Sequence, residues 1–143
     1  MRHRFAIAIA AFLALLVGLP AALAQESTPE PGVSGERDFR VYCASCHGED
    51  DKGGGPASFG LTVEPPDLTG LSQRNNSAFP RERILNLIDG REEVAAHGTR
   101  EMPVWGEWFK MEAAEGLGGA EGPESSVRRR VNNLVDYLES IQQ

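Results

Sequence analysis

Cys43, Cys46 and His47 fall within one run, Cys43-Ala44-Ser45-Cys46-His47, in which two thiols three positions apart are followed at once by an imidazole. Thiols at that spacing can reach the two vinyl groups on one edge of a porphyrin, and the adjoining imidazole then falls on the iron. The run predicts one covalently held haem, with Cys43 and Cys46 as thioethers and His47 as the proximal nitrogen ligand. Other chemistries use some of the same residues. A dithiol redox site suits a βαβ pattern, whereas no strand pattern precedes Cys43 and a Gly-rich loop follows it. Zinc takes four ligands, and past the N-terminal segment only His97 is left to complete a set. A disulfide between Cys43 and Cys46 would close a very short, strained loop and leave His47 without a role. Haem attachment explains all three residues together.

The elements that must position this motif can be read from apolar spacing. Gln25 to Ser34, with Pro29, Pro31 and Gly32 among polar residues, reads as a flexible leader. Helical spacing starts near Gly35 and runs through Phe39 and Tyr42 into the motif, so this helix delivers His47 from its C-terminal end. Lys52-Gly53-Gly54-Gly55-Pro56 breaks regular structure, and Glu64-Pro65-Pro66-Asp67-Leu68 is extended, because residues before proline avoid the helical region. The glycines lack the GK[ST] and the strand-turn-helix context of a phosphate cradle. Pro80 opens a short helix carrying Ile84, Leu85, Leu87 and Ile88, which Asp89-Gly90 ends by a left-handed cap. Val104, Trp105, Trp108 and Phe109, directly after Met102-Pro103, form the densest aromatic group and suit packing around a large flat ligand or an ordinary core. Glu112 to Glu124 reads as an acidic, Gly-rich surface loop. Val127, Val131, Leu134, Val135, Leu138 and Ile141 mark a last helix, with Ser125 or Ser126 as its cap and Arg128, Arg129 and Arg130 in its first turn.

Residues 1 to 24 have the three parts of an export signal: basic Arg2 and Arg4, an uncharged apolar run from Phe5 to Leu19, and an Ala22-Leu23-Ala24 cleavage site. The competing reading is a retained membrane anchor, since the apolar run approaches the ~17 residues of a minimal span. Cleavage would leave about 120 residues, enough for one domain with a small core. The formal charge is −7, and removing Arg2 and Arg4 leaves 12 basic against 21 acidic side chains, or −9. Nucleic acid is therefore not an expected partner, and electrostatic docking would favour a basic surface.

Taken together the motifs resemble the class I cytochrome c family. Gly35, Phe39, Cys43, Cys46 and His47 fit its G-x-x-x-[FY]-x-x-x-C-x-x-C-H, and Leu134, Tyr137 and Leu138 look like the L-x-x-Y-L of its last helix. Pro66-Asp67-Leu68-Thr69-Gly70-Leu71 with Arg74 is similar to the family's P-N-L-x-G-L-x-x-R loop on the histidine side of the haem, with Asp67 and Gln73 departing from the usual residues. Met102-Pro103 resembles the distal ligand motif of bacterial members. The resemblance implies a small all-α fold with crossing N- and C-terminal helices, a short middle helix and long loops around one haem. It implies that the Pro66 carbonyl accepts the Nδ1 hydrogen of His47, that Arg74 faces a propionate, and that Met102 is the second axial ligand. Leu68 and Trp105 would then pack on the macrocycle. Met111 and His97 are the rivals of Met102 for the iron.

A closed His/Met site leaves nothing open to substrate, so the expected work is electron transfer between periplasmic redox proteins, not enzymatic turnover. A second reading makes the chain the electron-accepting subunit of a larger periplasmic oxidoreductase, with residues 112–124 and the three arginines as its interface. A third is a gas-binding or peroxidase-like haem protein whose methionine leaves the iron.

Overall fold

A computed structural model of the chain describes residues 31–92, 102–117 and 122–143. The segment read as an export signal, most of the leader and His97 lie outside the described residues. Among those residues the fold is all-α, without strands: α1 Pro31–Tyr42, α2 Ala44–His47, α3 Arg81–Asp89, α4 Trp105–Glu112 and α5 Pro123–Ser140. Helix α1 begins at Pro31, ahead of the start expected near Gly35. Proline suits a first turn, where the N–H it lacks would have no partner within the helix.

Helices α1 and α5 cross at Gly35. A Cβ there would lie 2.6 Å from the Asn133 carbonyl carbon and closer still to its oxygen, with Tyr137 Cβ at 3.0 Å. One turn on, Phe39 packs on Tyr137 with ring centroids 5.5 Å apart. The crossing of the terminal helices implied by the family resemblance thus has its cause here: the glycine lets two backbones approach and the aromatic fills the space beside them. Because the obstacle is backbone, which cannot rotate away, Gly35→Ala is expected to cost about 3 kcal/mol, at the upper end for overpacking. Thermal unfolding followed by circular dichroism checks this, and an unchanged midpoint would mean that the helices part without cost.

Helix α5 buries Val127, Val131, Leu134, Val135, Tyr137 and Leu138 in one stripe. It starts earlier than expected, with Pro123 in the first turn and Gly122 as the cap residue. Neither Ser125 nor Ser126 caps it: Ser125 Oγ donates back to the Gly122 carbonyl, and Ser126 is buried. The three arginines therefore sit past the first turn, where the helix dipole no longer opposes them. Helix α3 ends as read, with Gly90 left-handed at φ 87 and its N–H on the Asn86 carbonyl. Arg81 ties it to α5 through Asp136 at 2.5 Å and Glu139 at 2.8 Å.

The region from Glu112 to Glu124 is not a plain surface loop. Glu112 ends α4, a π-helical turn spans Ala113–Leu117, and Pro123 already belongs to α5. Helical spacing was obscured there by Gly116, whose φ of 90 kinks the turn.

Candidate functional site

Helix α2 has a single turn, so its four carbonyls depend on N–H groups of the chain that follows it. The chain after it supplies them. Gly48 N–H donates to the Ala44 carbonyl at 2.9 Å, Gly53 to His47 at 2.8 Å, Gly55 to Cys46 at 3.1 Å and Ala57 to Ser45 at 2.8 Å. The Gly-rich stretch is thus a wrap around the end of the cysteine motif. Gly53 is left-handed at φ 89, and a Cβ there would strike the Pro65 carbonyl oxygen, so glycine lets the Pro65-Pro66 segment close over His47.

That segment is pinned from several directions. Leu68 N–H donates to the Asp51 carbonyl at 2.8 Å, and the Asp51 carboxylate, itself buried, accepts from Tyr137 Oη at 3.0 Å. Burial raises Asp51, while the Tyr137 bond pulls it down. The Tyr137 phenol is pushed up to about 12 by burial and by the same carboxylate. From the C-terminal end Gln142 Nε2 donates to the Leu68 carbonyl at 2.9 Å, and its Oε1 accepts from Ser72 N–H at 2.8 Å. Gln143 N–H reaches the Thr69 carbonyl at 3.0 Å. These glutamines were not anticipated from the sequence, since a polar end carries no periodic signal.

The motif, this segment, α3, Met102-Pro103, Trp105 and the core face of α5 enclose a mostly apolar cavity of about 330 Å³. The residues favoured from the sequence as cofactor or iron contacts line it: Cys43, Cys46, His47, Pro66, Leu68, Arg74, Met102 and Trp105. Met111, by contrast, is 54% exposed on α4 and does not line the cavity. The aromatic group divides: Trp105 lines the cavity, Phe109 is fully buried beside it, and Trp108 is half exposed with its indole N–H on Glu112. Tyr42 and Arg83 also line the cavity, although the sequence had not marked Arg83.

The electrostatics of the site follow from burial. The Cys43 thiol is pushed up to about 12 by desolvation, with the charges of Asp38 and Cys46 adding. A thiol oxidoreductase needs the opposite, a depressed thiol. Neither cysteine is in a disulfide. Burial lowers His47, so its ring is neutral and able to ligate, while the nearby Pro66 carbonyl favours a proton on it. His47 Nδ1 is buried and falls short of a formed hydrogen bond, the polar atom in this wall that still lacks a partner. Arg74 stands exposed at the cavity rim, with Nη2 donating to the Asp67 carbonyl. Asp67 itself accepts from Thr69 N–H at 2.8 Å and Thr69 Oγ1 at 2.7 Å, so the departure from the usual asparagine keeps a turn-forming acceptor.

These residues fit a haem. Two unpaired thiols, a neutral imidazole and a thioether share one apolar cavity, and the polar groups at its edge are few. No described helix is long and apolar enough to cross a membrane. No curated protein and no solved structure matches the chain. The family model described as cytochrome c oxidase, cbb3-type, subunit III, matches residues 31–118, which include all of the cavity lining except Leu134 and Leu138 on α5. The chain belongs to this cytochrome c family, and such a domain implies haem-based electron transfer.

Proposed function

We propose that this member of the cytochrome c family is an exported carrier that moves one electron at a time between redox proteins, with a haem held by Cys43 and Cys46 and ligated by His47 and Met102. Bound there, the haem supplies reversible one-electron ferric/ferrous chemistry. The observation that carries the reading is the meeting of the two cysteines, His47 and Met102 in one apolar cavity. His47 gives the iron a neutral nitrogen, and the Pro66 carbonyl beside Nδ1 steers the ring and strengthens it as a donor. Met102 would hold the iron through a soft thioether, which favours the reduced metal. Leu68 and Trp105 would shield the haem from water, and Arg74 at the rim would meet a propionate. An acidic surface, −9 without residues 1 to 24, would dock on a basic partner.

Protein secreted by a maturation-competent bacterium is expected to show one haem per chain by pyridine haemochrome. It is also expected to cycle between oxidised and reduced forms, and its reduced form to ignore carbon monoxide at neutral pH. Ready carbon monoxide binding would favour an open, gas-binding or peroxidase-like site instead. The matched family's description favours one further reading, a haem-bearing subunit of a larger oxidoreductase. A complex that survives gel filtration of native extract would support the subunit, and a lone monomer the free carrier.

A further inference from the structure

One residue away from the cavity lies a cluster of charges that haem attachment does not call on. Arg130 of α5, its side chain 14% exposed, donates through Nε and Nη2 to the Asp38 carboxylate of α1 at 3.0 and 3.1 Å. Through Nη1 it donates to Glu112 of α4 at 2.7 Å. Glu112 also accepts from Tyr42 Oη at 3.0 Å, and Tyr42 is both a cavity-lining residue and the neighbour of Cys43. The guanidinium carbon lies 3.9 Å from the Phe109 ring centroid and 5.1 Å from that of Tyr42, so aromatic faces cover the cation. The carboxylates of Asp38 and Glu112 are only 18% and 19% exposed. Burial opposes charge on both Arg130 and Glu112, yet their mutual bonds keep Arg130 above and Glu112 below their ordinary ranges.

The cluster therefore holds two negative charges and one positive charge, all poorly screened by solvent. The cluster adjoins the motif through Tyr42, which bonds Glu112, lines the cavity and directly precedes Cys43. We infer that Arg130, Asp38 and Glu112 tune the reduction potential of the site, the arginine favouring the reduced state and each carboxylate the oxidised one. This rests on the haem reading above. Arg130 touches neither cavity nor iron and is a positioning and tuning residue: it fixes Glu112 as the acceptor for Tyr42 and offsets one of the two negative charges.

The test is spectroelectrochemistry on the full-length, haem-loaded protein, with the haemochrome recorded for each variant. Arg130→Gln is expected to lower the midpoint and Asp38→Asn to raise it, each by roughly tenfold in the one-electron equilibrium, which is about 59 mV. Arg130→Lys, which keeps the charge and loses the fork, is expected to recover most of the Arg130→Gln shift. General damage would move the arginine and aspartate variants in the same direction, so opposite signs support tuning, whereas equal signs or no shifts overturn it. If Arg130→Gln is not recovered folded, Asp38→Asn and Glu112→Gln carry the test: both must raise the midpoint, and a fall or no change overturns the role. A wild-type protein without a haemochrome would instead remove the haem reading itself, and this role with it.

Discussion

With both Cys43 and Cys46 replaced by alanine, the secreted chain is expected to lose covalent haem and, with it, cooperative folding. The first loss follows from chemistry, since no thiol is left to form a thioether. The second follows from where the cavity lies. Its walls are not an appendage to the core but the inner faces of the core itself, with Phe39, Ile84, Ile88, Leu134 and Leu138 serving both. Without the macrocycle those apolar faces stand open to water, a loss of burial that weighs heavily against the ~5–15 kcal/mol total stability of an ordinary domain. The side-chain core is small, and the contact between α1 and α5, which includes Gly35, Phe39, Tyr137 and the Arg130–Asp38 pair, borders the cavity at Phe39. Pyridine haemochrome and a thermal melt on the double variant check both parts. A sharp, reversible melt at the wild-type midpoint would show that α1, α3 and α5 hold together without the macrocycle, and a retained haemochrome would break the attachment itself.

What could be read ahead of the fold was whatever depended on nearby residues or on a strict pattern. The cysteine motif and the left-handed end of α3 at Gly90 carry their chemistry locally, and Gly35 with Phe39 stands at a strict spacing before that motif. What escaped depended on partners far along the chain. Arg130 meets Asp38 across 92 positions, and Gln142 meets Leu68 across 74. The glycines at 53 and 55 read as helix breakers, but their N–H groups serve the carbonyls of α2, which only the return of the chain reveals. One signal for Arg130 was present. It stands three positions after Val127 and four before Leu134, on the apolar stripe of α5, whereas Arg128 and Arg129 stand off that stripe and are exposed. An arginine on a buried face needs an acidic partner, and Glu112 was hidden inside a stretch that its glycines made look like a loop.

Met102→Ala is the substitution expected to change the electronic character of the site most without removing the haem. Three observations lead to Met102 rather than to another donor. It lines the cavity with His47, the following Pro103 lines it too, and α4 starts two residues on at Trp105, so the ligand segment is anchored on both its rigid side and its apolar side. Met111 sits well into α4 and faces solvent. Losing the thioether is expected to abolish the weak near-infrared sulfur-to-ferric-iron band, to lower the midpoint, and to let the reduced protein take up carbon monoxide. Axial ligands command a span of ~0.8 V, so the drop should be on the order of 0.1 V or more. The buried-charge variants should move the midpoint by about 59 mV. On these expectations ligand identity would set the potential coarsely and the cluster around Arg130 would trim it. Met111→Ala is the matched control and should leave band, midpoint and carbon monoxide response unchanged. A band that survives Met102→Ala and vanishes in Met111→Ala would transfer the ligand to α4 and require that helix to turn by a large part of a revolution, against the burial of Phe109.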